Sequence, residues 1–180
     1  MLQITVPGIE LYDEKNECFI YLKERTLQLE HSLVSLSKWE SKWCKPFISK
    51  TNKTDEEVVD YVKCMTITQN VEPDVYSRLT RDNYDEIEKY INASMTATTF
   101  KEGRGGKKSG GIITAEIIYY WMISLGISKE YEKWHLNRLL TLIRVCNEKN
   151  APSKKMSKSE IMRNNAALNA ARRQKLNSKG

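Results

Sequence analysis

The feature that most constrains the fold is the apolar run IITAEIIYYWMISLGI, which spans residues 112–127. A helix that crosses a bilayer needs about 20 consecutive apolar residues, and this run is shorter and contains Glu116. The run therefore predicts a buried helix in a soluble core or at a subunit contact, and no membrane partner is expected. Gly126 is placed to end this helix, because glycine tolerates the left-handed conformation that often follows a helix C-terminus.

A second helix is predicted directly after the first, in SKEYEKWHLNRLLTLIRVCNEKN, with Ser128 as its cap. Its apolar residues cover more than half of a helical wheel, so the region of about 112–148 predicts a central helical hairpin. His135 and Arg138 fall inside the apolar arc of this helix. Since an unpaired buried charge is very costly, we expect Glu116 to meet Arg138 or His135 across the hairpin.

This predicted buried pair is interpreted as a structural or interface contact. An acid–base pair of an enzyme is the alternative, but the sequence supplies no nucleophile, metal ligand set or substrate pocket beside it. The segment KEGRGGKKSGG, residues 101–111, also departs from the G-x-x-x-x-G-K-[ST] pattern of a nucleotide-binding loop, because Lys108 stands where the pattern needs Ser or Thr. This segment predicts a solvated loop that orders on a partner.

The cysteines and the N-terminus narrow the class of protein further. The cysteines are widely spaced, without the short ligand spacings of a structural zinc site, and they predict reduced thiols in an intracellular protein. They are Cys18, Cys44, Cys64 and Cys146. The opening MLQITVPGIELYDE has no basic region followed by a long apolar stretch, so no secretory signal is expected. We expect no enzyme activity, no catalytic or cofactor-binding residue, no cofactor and no metal.

The N-terminal part predicts a small β-hairpin followed by helices. Two β-prone runs flank the turn-like DEKN in ITVPGIELYDEKNECFIYLKE, and helical spacing of apolar residues begins at about Arg25. Further helix starts are indicated by the capping box of Thr54 and Glu57, by Pro73 and by Asp82 as a cap. The sum is a mainly α fold: a helical domain over residues 1–150 with an N-terminal β-hairpin.

The positive charge of the chain lies in its C-terminal segment, residues 151–180. Eight basic residues against one glutamate give this segment a net charge of +7, and because the whole chain carries +6, residues 1–150 sum to −1. A capping box of Ser157 and Glu160 precedes an alanine-rich stretch, so the segment predicts a basic, partly helical or disordered tail.

This basic tail is predicted to bind a partner, either nucleic acid through phosphates or an acidic protein surface, with a merely solubilising role as the alternative. We expect at most weak, sequence-independent nucleic-acid binding. The residues predicted to contact the partner are Lys154, Lys155, Lys158, Arg163, Arg172, Arg173 and Lys175.

Three stretches carry a resemblance to known proteins: LSKWESKWCKPFI, the run from residue 112 to 150, and ALNAARRQKLNSKG at the end of the chain. They resemble small proteins encoded in the tail-gene clusters of long-tailed bacteriophages, over roughly half of the chain. The resemblance implies a helical tail assembly chaperone of the host cytoplasm that binds the tape-measure or tail-tube protein. A structural virion protein, such as a connector or minor tail protein whose basic tail contacts nucleic acid, is the alternative, and homo-oligomer formation is left open.

Overall fold

The computed structural model describes residues 1–49, 52–100, 111–151 and 157–177. The chain divides into two compact units, Met1–Asn147 and Glu148–Gly180. The mainly α fold is confirmed. The four strands are β1 Leu2–Val6, β2 Ile9–Asp13, β3 Cys18–Leu22 and β4 Arg25–Leu29. The helices are α1 Leu33–Trp43, α2 Asp55–Met65, α3 Pro73–Ser77, α4 Arg81–Asn92, α5 Ala115–Ser124, a 3₁₀ helix Lys129–Lys133, α6 Leu136–Asn150 and α7 Lys158–Leu176.

The strands form one antiparallel ribbon in two parts. β1 pairs with β4, and β2 pairs with β3 beyond a break at Pro7 and Gly8 on one strand and Lys23 and Glu24 on the other. A Cβ at Gly8 would lie 2.9 Å from the carbonyl oxygen of Leu22, so the ribbon needs glycine at this close approach. We call the β1–β4 pair the base and the β2–β3 pair the arm. The predicted N-terminal hairpin corresponds to this ribbon.

The helix predicted from about Arg25 is wrong in its first part. Residues 25–29 form strand β4, because Leu27 and Leu29 alternate with polar residues and pair across from Ile4 and Leu2 of β1. The helix α1 begins at Leu33, after a capping box in which Ser32 accepts from the backbone of Ser35.

The base of the ribbon covers a first hydrophobic core together with α1, α2, α3 and α4. Its buried side chains are Ile4, Val6, Leu27, Leu29, Trp39, Tyr61, Val62, Met65, Val75, Tyr76, Ile87 and Tyr90. The outer edge of β4 is bonded to the chain that follows α2, where Ile67 donates to the carbonyl of Gln28 at 2.8 Å. Asn83 of α4 donates to the carbonyl of Thr5 in β1 at 3.2 Å. Both edges of the base are therefore in contact with other parts of the chain.

A second core joins α1 to the two helices of the predicted hairpin 112–148. Its buried side chains are Leu33 and Leu36 of α1, Ala115, Ile118 and Met122 of α5, and Leu136, Leu139 and Ile143 of α6. Gly126 follows α5 with φ +66°, as predicted. The helix predicted from Ser128 is divided into the 3₁₀ helix and α6, because Leu136 donates to the carbonyl of His31 at 2.7 Å and the chain is extended between them.

Most of the predicted helix starts are confirmed. Thr54 and Glu57 form a capping box, and a second one at Ser157 begins α7. Pro73 begins α3. The cap of α4 is Thr80, which accepts from the backbone of Asn83, so the prediction of Asp82 was wrong. Within the described ranges, none of the helices has the length and apolar character that a bilayer span requires.

Candidate functional site

The predicted buried pair of Glu116 with Arg138 or His135 is wrong. Glu116 and Arg138 are both exposed, and the salt bridges found within the described residues include neither of them. The guanidinium of Arg138 lies over the ring of Trp134, 3.9 Å from its centroid. The second core takes only one face of α5 and one face of α6, so apolar residues beside Glu116, such as Tyr120 and Ile123, are exposed with it.

His135 is buried, as predicted, but its partners are different. Its Nδ1 accepts the backbone N–H of Asn137 at 3.3 Å, so its Nε2 carries the proton and donates to the carbonyl of Tyr90 at 3.0 Å. The ring of His31 lies 5.2 Å away, and the Nδ1 of His31 is hydrogen-bonded to the hydroxyl of Tyr61 at 2.6 Å. Sequence reasoning missed His31, because its partners come from helices far along the chain.

These two histidines are held in their neutral forms. Burial lowers the pKa of His31 to about 4, and the neighbouring His135 acts in the same direction. Burial also lowers the pKa of His135. The pair lies where Ser32, next to α1, bridges to His135, next to α6, and Tyr61 and Tyr90 belong to the first core. It is a hydrogen-bonded junction between the two cores.

Glu40 of α1 is a buried carboxylate that positions α5. It accepts the backbone N–H of Phe47 at 2.8 Å and the backbone N–H of Ala115, the first residue of α5, at 2.7 Å. Thr114, the residue before α5, makes no side-chain cap bond of its own. The carboxylate therefore caps α5 from another helix.

The helices α1 and α2 are fixed by two further carboxylates. Glu57 forms a salt bridge with Lys45, which lowers the pKa of the Glu57 carboxyl, and its backbone carbonyl accepts the indole N–H of Trp39 at 2.8 Å. Asp60 binds Lys42 and accepts the indole N–H of Trp43 at 2.9 Å. Burial raises the pKa of Asp60, but these two partners outweigh that effect and lower it. The α1–α2 contacts belong to the fold rather than to a site.

The arm carries the largest set of exposed apolar side chains in the N-terminal part. These side chains are 42–69% exposed, although their strands are regular and fully paired with each other. They are Ile9, Leu11, Tyr12, Phe19, Ile20 and Tyr21. Contiguous exposed apolar surface of this kind is rare on monomeric proteins and is typical of a binding site.

The arm has two chemically different faces, because side chains alternate along a strand. The aliphatic face holds Leu11 opposite Ile20 and Ile9 opposite Leu22. The aromatic face holds Tyr12 opposite Phe19, with ring centroids 5.1 Å apart, and Glu10 opposite Tyr21. The sequence showed that these residues are β-prone, and the exposure of both faces became visible only in the fold.

Two smaller apolar surfaces lie on the helices. The outer side of α5 exposes Tyr120 and Ile123, and Ile123 lines a cavity of about 370 Å³. A groove of about 440 Å³ runs between α2 and α4, where the amine of Lys53 lies 4.5 Å from the ring centroid of Phe47. Burial lowers the pKa of Lys53.

The C-terminal helix α7 is exposed along its whole length. Every residue from 157 to 177 is exposed, including Ile161 and Leu168. Of the basic residues predicted to contact a partner, five lie in this helix: Lys158, Arg163, Arg172, Arg173 and Lys175. Lys154 and Lys155, and the glycine-rich residues 101–110, lie outside the described residues.

Metal-ligating side chains do not gather in the described ranges, where no group of three or more His, Cys, Asp or Glu could hold an ion. No protein-family model, curated protein or solved structure matches this chain. The candidate functional site is the arm, whose apolar side chains are exposed on both faces.

Proposed function

We propose that this protein is a bacteriophage tail assembly factor that binds the tape-measure protein, the tail-tube protein or both during tail morphogenesis. The observation that supports the proposal is the uncovered arm, which presents apolar side chains on both faces of a two-stranded ribbon. A chaperone for a long apolar chain needs accessible apolar surface on a stable scaffold, and it needs no catalytic residue.

The aliphatic face of the arm is the surface that suits an apolar helical client. Leu11 and Ile20 lie directly opposite each other, with Ile9 and Leu22 as the adjacent pair, so the face is a short stripe of branched side chains. The apolar side of an amphipathic helix can pack on such a stripe, which removes the apolar surface of both from water.

Co-expression of the full chain with the tape-measure and tail-tube proteins, followed by affinity capture, tests the proposal. The double variant Leu11→Ser/Ile20→Ser should lose the client, because it makes the aliphatic face polar while both side chains are exposed in the free protein. Ile123→Ser is the matched control: it removes an apolar side chain that is 78% exposed on α5 and should retain the client. If the unaltered chain captures neither protein and purified virions contain it in fixed stoichiometry, the assembly-factor proposal fails.

A structural virion protein that contacts nucleic acid is the second candidate. The exposed basic residues of α7 favour it, because phosphate contacts are made by accessible Lys and Arg side chains. On this candidate the chain should bind DNA with an affinity that falls steeply with salt, and Arg172→Glu/Arg173→Glu should abolish the binding. Salt-insensitive or absent DNA binding would remove this candidate.

A further inference from the structure

The aromatic face of the arm has the chemistry of a site for arginine-bearing helices. Tyr12, Phe19 and Tyr21 are 54–69% exposed on this face, and Glu10 lies among them opposite Tyr21. An arginine guanidinium can lie over such rings while it hydrogen-bonds a carboxylate, and apolar side chains can cover the ring edges. The face therefore fits a basic amphipathic segment better than a purely apolar one.

The charge of the arm agrees with this chemistry. Residues 9–24 contain five acidic residues and two lysines, a net charge of −3. Helix α7 contains five basic residues and Glu160, a net charge of +4. The chain thus contains both an acidic aromatic surface and a basic helix, and opposite potentials of this kind favour association of the two.

Helix α7 has the side chains that the aromatic face requires. Ile161, Leu168 and Arg172 are spaced at i, i+7 and i+11, which places them on one side of the helix. All three are exposed, and a helix without tertiary packing is only marginally stable in water. Docking on a partner would bury these three side chains.

We propose that α7 of one copy binds the aromatic face of the arm of a second copy. Ile161 and Leu168 cover the rings of Phe19 and Tyr21, and Arg172 faces Glu10. A second copy is the occupant because the arm and α7 carry opposite net charges, and each copy carries one surface of each kind. The contact is head-to-tail, so it links copies into open chains or closed rings.

The size of the aromatic face sets the expected affinity. A fully buried aromatic side chain removes about 150–250 Å² from water, so the exposed parts of the three rings amount to about 400 Å². A standard stable interface buries about 800 Å² on each partner. We therefore expect weak self-association, with dissociation constants of roughly 1–100 μM.

Sedimentation velocity of the full chain over a concentration series at low salt measures this contact without any client, so its outcome is independent of the proposed chaperone activity. The unaltered chain should associate in a concentration-dependent manner. Phe19→Ser/Tyr21→Ser and Ile161→Ser/Leu168→Ser should each weaken self-association about tenfold or more. An equimolar mixture of the two variants should form a heterodimer and no larger species, because one intact arm meets one intact helix.

The matched control is Leu11→Ser/Ile20→Ser, which alters the other face of the same arm and should associate like the unaltered chain. Circular dichroism should show that all variants remain folded, since every substituted side chain is exposed. A monomeric unaltered chain at several hundred micromolar, an aromatic-face or helix variant that associates as tightly as the unaltered chain, a mixture of the two variants that stays monomeric, or loss of association in the control would each overturn the proposal.

Discussion

The base and the arm of the ribbon have the same backbone structure and opposite surroundings. Each consists of two five-residue strands in antiparallel pairing, and each contains leucine and isoleucine. In the base, Ile4, Val6, Leu27 and Leu29 are at most 2% exposed, because the helices α1 to α4 pack against them. In the arm, six apolar side chains are 42–69% exposed, and only Leu22 is half-buried.

The difference lies in which parts of the chain reach each pair of strands. The base is contacted along both edges, by the chain after α2 and by Asn83 of α4. The arm pairs only within itself in the described residues. A ribbon of this kind gains little stability from its apolar side chains until something covers them, so their presence indicates binding rather than folding.

The largest expected effect on stability comes from replacing one leucine by alanine in the base and, separately, one in the arm. Leu27→Ala should destabilise the protein by about 2–5 kcal/mol, because it leaves a cavity in the first core. Leu11→Ala should cost less than about 1 kcal/mol, because Leu11 is already 45% exposed. Urea unfolding of both variants, followed by circular dichroism, gives the two free energies of unfolding.

A milder pair of substitutions makes the same comparison if the Leu27→Ala variant does not fold. Ile4→Val in the base should cost about 0.5–1.5 kcal/mol, and Ile20→Val in the arm should have almost no effect. Equal losses in base and arm would contradict the comparison, since they would mean that the arm is covered in the free protein.

The dependence of stability on pH extends the comparison, because both histidines of the chain are buried outside the arm. The pKa of His31 falls from the ordinary 6.5 to about 4 on folding, so the unfolded chain binds a proton between these pH values that the folded chain does not. Folding is therefore favoured most above pH 6.5, and about 3 kcal/mol of stability should be lost as the pH falls towards 4. Urea unfolding from pH 7.5 to pH 4.5 measures this loss.

His31→Gln is the control, because glutamine does not titrate and can still hydrogen-bond the hydroxyl of Tyr61. Its stability should depend much less on pH over this interval, with a residual slope from His135, whose pKa is also lowered by burial. The lowered pKa values of Glu57 and Asp60 act at lower pH, where those carboxylates begin to protonate. An unchanged slope in His31→Gln would assign the acid sensitivity to other groups.

Local signals in the sequence predicted local structure well. The capping box at Thr54, Pro73 at the start of α3 and Gly126 after α5 all hold, because each depends only on neighbouring backbone groups. The contacts that join distant parts could not be predicted in this way. Glu40 capping α5 connects residues 75 positions apart, and the bond of His31 to Tyr61 spans 30 positions.

The arm also shows that local sequence signals do not predict contacts between distant parts of the chain. Its β-prone residues predicted two strands, and the strands are present. Periodicity identifies the two faces of a strand, but it does not say whether another element of the chain covers them. The same limit explains the error at α5 and α6, where a wide apolar arc was taken to mean burial on all of its sides.

The smallest expected effect on stability concerns the predicted contact between Glu116 and Arg138. Glu116→Leu should change stability by less than about 0.5 kcal/mol, because Glu116 is exposed, and Arg138→Met should cost at most about 1 kcal/mol through lost contact with Trp134. A double-mutant cycle should give an interaction energy near zero, since side chains without a shared contact are additive. A coupling energy above about 2 kcal/mol would show that the two residues meet in solution. The side of α5 that carries Glu116 would then be covered, like the base of the ribbon, and not exposed like the arm.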